Sequence, residues 1–393
     1  MPLASFLPSP TTLLKVCAST LAVLVGGSGT ALYLLQNKLI YPANLPSGSR
    51  TDVPQPSDFG MPFEAVDLTT PDGVRLKAFL IKYEQGGTKA EERPTVLLLH
   101  ANAGNVGHRL PIAKVFWQKM RCNVFALSYR GYGHSEGSPS EKGLKLDSQT
   151  ALDYLLSHPE LEKTPIFLYG QSIGGAVAIH LASQNAQRLK GLVIENTFMS
   201  LPLLIPHLMP FLTPFLPFLL HQIWPSSAYI ATLPKDFPVL FLAGSKDELV
   251  EPGQMKGLWQ ACSSDKKEWQ EYEHGTHNDT VAQPLYFHHI AQFPPPPAHA
   301  EPVSAAPRPS SPPPPVGFKP PSPAKSISSS SDGSAESFEL VEREKEIETE
   351  GGQLETQDKL TAGSLGPKEE LEELERKVEE TVQELAEKGR DEL

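Results

Sequence analysis

The stretch Gly170-Gln171-Ser172-Ile173-Gly174-Gly175 decides the fold prediction. An apolar run at 165–169 precedes it and another begins at Ala176, so the hexapeptide predicts a strand, a sharp turn and a helix. A Gly-x-Ser-x-Gly pentapeptide in this context is typical of a strained turn, because only small residues fit on either side of the serine. Such a turn exposes the Ser172 hydroxyl at a helix start, where free amides favour developing negative charge. Ser172 is therefore a candidate nucleophile, and the alternative is an ordinary turn hydroxyl.

A serine nucleophile needs a histidine base and a carboxylate that orients it. After a turn of this kind they follow in the chain order Ser, Asp, His. Asp247 follows an apolar run at 239–243, and His277 follows a short strand predicted at 269–272. We interpret Ser172, Asp247 and His277 as a catalytic triad. In the alternative interpretation, Asp247 is a loop capping residue and His277 is one of the 12 histidines of the chain with no catalytic role.

An oxyanion hole requires two backbone amides, one directly after the nucleophile and one in a loop after an earlier strand. Ile173 supplies the first. The strand predicted at 95–99 is followed by His100-Ala101-Asn102-Ala103-Gly104-Asn105. Asn102 is our candidate for the second donor, and the alternative is an ordinary polar turn. Arg130 and Tyr132 lie in a glycine-flanked loop, either lining the site or serving the structure.

Eight strands are predicted, at 65–68, 76–82, 95–99, 123–128, 165–169, 191–195, 238–243 and 269–272. Most of the later ones are continuous apolar runs, which is typical of parallel strands covered on both faces. Amphipathic helical windows alternate with them, including one at 140–157. This alternation predicts an α/β domain at 41–293, with a mostly parallel eight-stranded sheet and helices on both faces. Three cysteines imply no disulfide framework, and no residue spacing indicates a metal or a cofactor.

Several separate motifs carry a resemblance to a known family. They are Ser128-Tyr129-Arg130-Gly131-Tyr132-Gly133-His134-Ser135-Glu136-Gly137, the serine turn, Glu195-Asn196-Thr197-Phe198, Asp247-Glu248-Leu249-Val250 and Gly275-Thr276-His277-Asn278-Asp279. Over roughly residues 30–292 the chain resembles the membrane-anchored α/β-hydrolase family of the fungal bud-emergence type.

This resemblance implies an α/β-hydrolase fold with Ser172 as nucleophile, Asp247 as acid and His277 as base. It also indicates acyl ester or thioester substrates, in lipids or lipidated proteins. A serine peptidase and a noncatalytic scaffold that binds partners are the alternatives. The chain has His100-Ala101 where the family commonly has His-Gly, and the extra methyl restricts the backbone angles there.

Residues 196–234 contain no Lys, Arg, Asp or Glu and are rich in Leu, Phe, Pro and Ile. Prolines at 202, 206, 210 and 214 argue against a regular membrane-spanning helix. An insertion here in an α/β hydrolase is typical of a cap with apolar walls that suit an acyl chain. We predict a cap at about 197–234 that also touches the bilayer, with Phe198, Phe211 and Phe215 binding substrate. The alternative is a buried structural insertion.

The amino-terminal region is apolar. Residues 16–37 carry no charge, and 16–35 provide the 20 residues that cross a hydrocarbon layer of about 30 Å as a helix. We predict a membrane anchor at 1–40 and a single-pass protein of the endoplasmic reticulum or another endomembrane. A cleaved signal peptide ending near Ala31 is the alternative. The terminal Arg390-Asp391-Glu392-Leu393 is close to the luminal retention address Lys-Asp-Glu-Leu, unless it is an accident of a glutamate-rich tail.

Residues 294–393 have a different composition. Fourteen prolines between Pro294 and Pro323, then serines and acidic sequence, predict a disordered linker at 294–367. From Asp332 onward, 21 acidic and 8 basic residues give −13 against −12 for the whole chain, so the remainder is nearly neutral. The sequence has no basic patch, so nothing in it supports nucleic-acid binding. After Pro367, residues 368–393 predict a charged helix, either transient or a surface for a protein partner.

Overall fold

The computed structural model describes residues 9–293. The predictions for the linker at 294–367, the helix at 368–393 and residues 1–8 lie outside this range. The described chain consists of a long helix, α1 (Pro10–Ile40), followed by an α/β domain.

The domain is built on one eight-stranded sheet in the order β1-β2-β4-β3-β5-β6-β7-β8. The strands are β1 (Glu64–Thr69), β2 (Arg75–Ile81), β3 (Thr95–Leu99), β4 (Asn123–Ser128), β5 (Ile166–Gln171), β6 (Gly191–Glu195), β7 (Val239–Gly244) and β8 (Lys267–Tyr272). Strand β2 runs antiparallel to β1 and β4, and all other neighbours are parallel. The predicted mostly parallel sheet is confirmed, and each strand lies within two residues of its predicted bounds.

Helices cover both faces of the sheet, as predicted. The principal ones are α2 (Leu110–Gln118), α3 (Glu141–Ser157), α4 (Ile173–Asn185), α7 (Ser226–Ile230), α8 (Pro252–Ala261) and α9 (Tyr286–Ala291). Side chains alternate along β3, so Leu97 and Leu99 pack in a core with α3 and α4, while Val96 and Leu98 pack in a second core with α2 and α9. The helical window at 140–157 forms α3, and its cap Ser140 accepts a hydrogen bond from the Gly143 amide at 3.1 Å.

The apolar insertion between β6 and β7 folds as short helical pieces. They are α5 (Leu201–Leu208), a 3₁₀ segment (Pro210–Phe215) and α6 (Leu216–Leu219), followed by α7. Pro206 and Pro214 lie inside helical segments, where the missing amide interrupts the hydrogen-bond ladder. We call residues 197–234 the cap.

Within the described residues, one helical stretch is long and apolar enough to cross a membrane, namely Thr11–Ile40. This assignment rests on length and composition, which a signal sequence also meets. The carboxyl-terminal turns of α1 contact the cap. Gln36 Nε2 donates to the Leu219 carbonyl at 2.8 Å, and Gln36 Oε1 accepts from the His221 amide at 3.0 Å. One turn further on, Trp224 Nε1 donates to the Tyr41 hydroxyl at 2.8 Å.

Candidate active site

Ser172 occupies the sharp turn between β5 and α4. Its φ of +54° lies in the left-handed region, a strain on the order of 1–3 kcal/mol that surrounding contacts must hold. The Ser172 amide donates to the Glu195 carbonyl at 2.9 Å, and Thr197 Oγ1 donates to the Ser172 carbonyl at 2.7 Å. A Cβ at Gly174 would lie 2.1 Å from the Leu99 carbonyl oxygen, so a side chain there is excluded by backbone. The pentapeptide therefore has the small residues that this turn requires.

His277 and Asp247 lie in the loops that follow β8 and β7, and their side chains are buried together. His277 Nδ1 is 2.9 Å from Asp247 Oδ2 and 3.0 Å from Oδ1. A carboxylate only accepts, so the proton is on Nδ1 and Nε2 is left as an acceptor. The amides of Leu249 and Val250 donate to Asp247 Oδ1 at 3.0 and 2.7 Å. The carboxylate is thus held in the orientation that sets the histidine tautomer.

The loop that carries His277 is positioned by two amide side chains from other strand ends. Asn196 Nδ2 donates to the carbonyls of Thr276 and His277 at 3.1 and 3.3 Å, and Asn196 Oδ1 accepts from the Gly244 amide at 2.8 Å. Gln171 Nε2 donates to the His277 carbonyl at 3.1 Å. These two side chains were not among the site residues predicted from the sequence. Their position at the carboxyl ends of β5 and β6 is the signal that points to them.

Ser172 and His277 line the same cavity of about 360 Å³. Among the hydrogen bonds of residues 9–293, none joins the Ser172 hydroxyl to His277. Asn102, Ile173 and Phe198 line this cavity as well. Ile173 is the first residue of α4, so its amide has no intrahelical partner. The structure therefore brings both candidate oxyanion donors and one of the three aromatic candidates to the wall that contains Ser172.

The other two aromatic candidates lie elsewhere. Phe211 is 71% exposed and Phe215 is 49% exposed, and neither lines the cavity. Met209, Leu212 and Leu216 of the same segment line it instead. The prediction that Phe211 and Phe215 bind substrate inside the cap is therefore corrected: they form its outer surface.

The loop that carries Asn102 rests on buried aromatic residues. His100 packs against Tyr129 with ring centroids 4.2 Å apart and the ring planes tilted by 42°. Burial lowers the pKa of His100 to about 3, so the imidazole is neutral. The Tyr132 hydroxyl donates to Asn102 Oδ1 at 3.1 Å. Ala101 does not belong to the described residues with positive φ, so its methyl is accommodated where the family commonly has glycine. Tyr132 thus helps to position the loop that carries Asn102.

Arg130 has a structural role, because its side chain forms ion pairs with Asp72 and Asp147. Its guanidinium donates to both oxygens of Asp72 at 2.7 and 3.0 Å and to Asp147 Oδ1 at 2.8 Å. Arg109, in contrast, lines the cavity, and its buried Nε has no hydrogen-bond partner within the described residues. The cavity wall therefore includes a guanidinium group that was not among the site residues predicted from the sequence.

The chain is similar to a family model, to proteins of two yeasts and to a solved structure. A family model described as alpha/beta hydrolase fold matches residues 94–224. Protein bem46 of Schizosaccharomyces pombe is 49% identical over 67% of this chain and 86% of its own length. Uncharacterized membrane protein YNL320W of Saccharomyces cerevisiae is 40% identical over 71% of this chain and 95% of its own. A crystal structure of an alpha-beta hydrolase from Vibrio vulnificus shares the fold, with a TM-score of 0.51 at 22% identity over 65% of this chain and 91% of that one.

Proposed function

Because the chain belongs to the α/β-hydrolase family that includes Protein bem46, we propose that it is a membrane-associated serine hydrolase of acyl esters or thioesters. The observation that carries this proposal is one cavity lined by a strained serine and by a histidine whose Nδ1 is held by a buried aspartate. The membrane association is supported by the apolar helix α1 and by a relative that is named a membrane protein.

In the proposed reaction, His277 Nε2 removes the Ser172 proton as Ser172 Oγ bonds to the acyl carbon. The amides of Ile173 and Asn102 bind the oxyanion that forms. When the carbonyl re-forms, the alcohol or thiol leaves and takes the proton from His277. His277 then deprotonates a water that attacks the acyl-enzyme, so a carboxylic acid is released and the Ser172 hydroxyl is restored. Asp247 stabilises the charged imidazole in both halves.

The composition of the cavity supports an acyl substrate over a peptide. The cap contributes leucine, isoleucine and phenylalanine side chains to the wall, including Phe198, Leu204 and Leu212. The apolar cap side chains offer no hydrogen-bond partners to replace the water that a peptide would lose there, whereas an acyl chain gains from the same burial. The substrate class is therefore an ester or thioester with a long apolar acyl group, in a lipid or a lipidated protein.

Labelling of the full-length chain in membranes with a fluorophosphonate probe tests the proposal. We expect labelling of the wild type, loss in Ser172→Ala, and retention in the control Ser200→Ala. Ser200 is buried in the cap and does not line the cavity. It precedes α5, and its side chain makes no hydrogen bond to the first turn of that helix. Absence of labelling in folded wild type would favour a noncatalytic scaffold. Hydrolysis of an acyl amide as fast as the matched ester would favour a peptidase.

A further inference from the structure

Helix α1 forms part of the wall of the candidate active-site cavity. Leu32, Gln36, Leu39 and Ile40 line the cavity that also contains Ser172. Their spacing of four and three residues places them on one face of α1. Leu34 lies on another face, is 70% exposed and does not line the cavity. One face of the apolar helix is therefore part of the site.

Hydrogen bonds hold this part of α1 to the cap. Gln36 is 7% exposed and bonds to two main-chain groups of the cap, the Leu219 carbonyl and the His221 amide. Tyr41, just after α1, accepts from Trp224 Nε1 and donates to Gln222 Oε1 at 3.1 Å. These bonds fix the end of α1 against the cap, so the cavity has α1 on one side and the cap on the other.

The outer surfaces of both elements are apolar. Phe211, Phe215 and Phe218 point outward from the cap, the last with 81% of its surface exposed. The cap contains no charged Lys, Arg, Asp or Glu side chain, and α1 exposes leucines and valines that include Leu14, Val23 and Leu34. Exposed aromatic and aliphatic side chains next to a helix long enough to cross a bilayer are typical of insertion into lipid. The occupant of this surface is therefore the bilayer that holds α1.

We infer that the substrate is a bilayer-resident acyl lipid that reaches Ser172 laterally, along the α1 face that includes Leu32 and Leu39. This inference rests on the proposed hydrolase function. The lining residues belong to the last turns of α1, which places the cavity where the helix leaves the hydrocarbon. Moving an acyl chain from the bilayer into water lowers the equilibrium constant for the exposed state by roughly fourfold for each methylene group. A path between α1 and the cap keeps the chain in apolar surroundings until its carbonyl meets the serine.

The test uses the full-length chain in phosphatidylcholine vesicles. Leu32→Trp fills the cavity from the α1 side, and Leu34→Trp is the matched control on the other face. The measured quantity is the ratio of kcat/KM for a vesicle-borne palmitoyl thioester to that for a water-soluble acetyl ester. We expect Leu32→Trp to lower the ratio by about tenfold or more, and Leu34→Trp to leave it within about twofold.

A ratio that is unchanged in Leu32→Trp, or lowered equally in both variants, would overturn the inference. Thermal unfolding of each variant, compared with wild type, shows whether it is folded, and Leu39→Trp, on the same face, replaces Leu32→Trp if that variant does not fold. Failure of the hydrolase proposal has a different signature, because the wild type then neither labels nor hydrolyses either substrate.

A second arm addresses the outer surface. The double variant Phe211→Ser with Phe218→Ser removes two side chains that contact lipid in this arrangement and do not line the cavity. We expect slower hydrolysis of the vesicle-borne thioester with an unchanged rate on the acetyl ester. Equal rates on the vesicle substrate before and after the double substitution would show that the cap does not touch the bilayer.

Discussion

Replacement of Asp247 by asparagine tests the geometry of the histidine most directly. Two amides, from Leu249 and Val250, donate to Asp247 Oδ1, whereas Oδ2 is the oxygen nearest to His277 Nδ1. In Asp247→Asn the retained oxygen satisfies the two amides, because turning the NH₂ group toward them would leave buried donors unpaired at about 1–3 kcal/mol each. The NH₂ group therefore faces His277, and Nδ1 must accept. The histidine proton moves to Nε2, which can no longer accept from Ser172.

The expected loss is about 10³–10⁴-fold in kcat, equivalent to about 4–5 kcal/mol of transition-state stabilisation. Hydrolysis of a water-soluble acyl ester measures it, with thermal unfolding of the same sample as a check on folding. We expect a similar Tm, because the size and most hydrogen bonds of the side chain are kept.

Glu248→Gln is the matched control, since it changes the same charge one residue away. Glu248 Oε2 accepts from the His277 amide at 3.2 Å, and no hydrogen bond within the described chain links it to the imidazole. We expect this variant to stay within about tenfold of wild type. If Asp247→Asn keeps activity within that range, Asp247 does not set the tautomer of His277 and the proposed triad is wrong.

Two further predictions concern stability. Burial lowers the pKa of His100 to about 3, so below about pH 6.5 the unfolded chain binds a proton that the folded chain does not. As the pH falls from about 6.5 toward 4, the free energy of unfolding of the wild type should therefore decrease by up to about 1.4 kcal/mol per pH unit more than that of His100→Gln. Urea unfolding at several pH values measures this difference, and equal slopes against pH for the two proteins would contradict the prediction. Gly174→Ala should abolish folding or cost more than about 3 kcal/mol, because its Cβ meets the Leu99 carbonyl, whereas Gly253→Ala in α8 should stabilise by about 0.5–1 kcal/mol. A wild-type Tm for Gly174→Ala would refute the close approach.

The sheet and the approach of three distant residues are predictable from sequence for one physical reason. Buried parallel strands need continuous apolar runs bounded by turn residues, and the carboxyl ends of parallel strands lie on one edge of the sheet. Ser172 and Asp247 follow such runs, at β5 and β7, whereas His277 follows the mostly polar strand β8, which is parallel to β7. Their shared edge follows from strand direction before any side-chain contact is known.

Other features depend on details that patterns do not contain. Asn196 and Gln171 act on the His277 loop through bonds to main-chain carbonyls across 81 and 106 residues, and any polar residue type at a strand end looks similar in sequence. The outward direction of Phe211 and Phe215 depends on where the prolines change an α-helix into a 3₁₀ turn, which shifts the angle between successive residues. Hydrophobicity predicts that the cap is apolar, but the side that faces the cavity is set by this local geometry.

Gln36 forms hydrogen bonds between α1 and the cap of the α/β domain, two parts of the chain that a hydropathy pattern separates into an anchor and a domain. An amide side chain in an apolar helix is costly unless its groups find partners. The prolines of the cap keep its helices short, and short helices leave main-chain carbonyls and amides open at their ends. Leu219 ends α6 and His221 follows it, and the carbonyl of one and the amide of the other are the groups that Gln36 satisfies. The same prolines that prevent a spanning helix in the cap thus create the polar groups that tie the cap to α1, so the wall of the cavity requires both elements together.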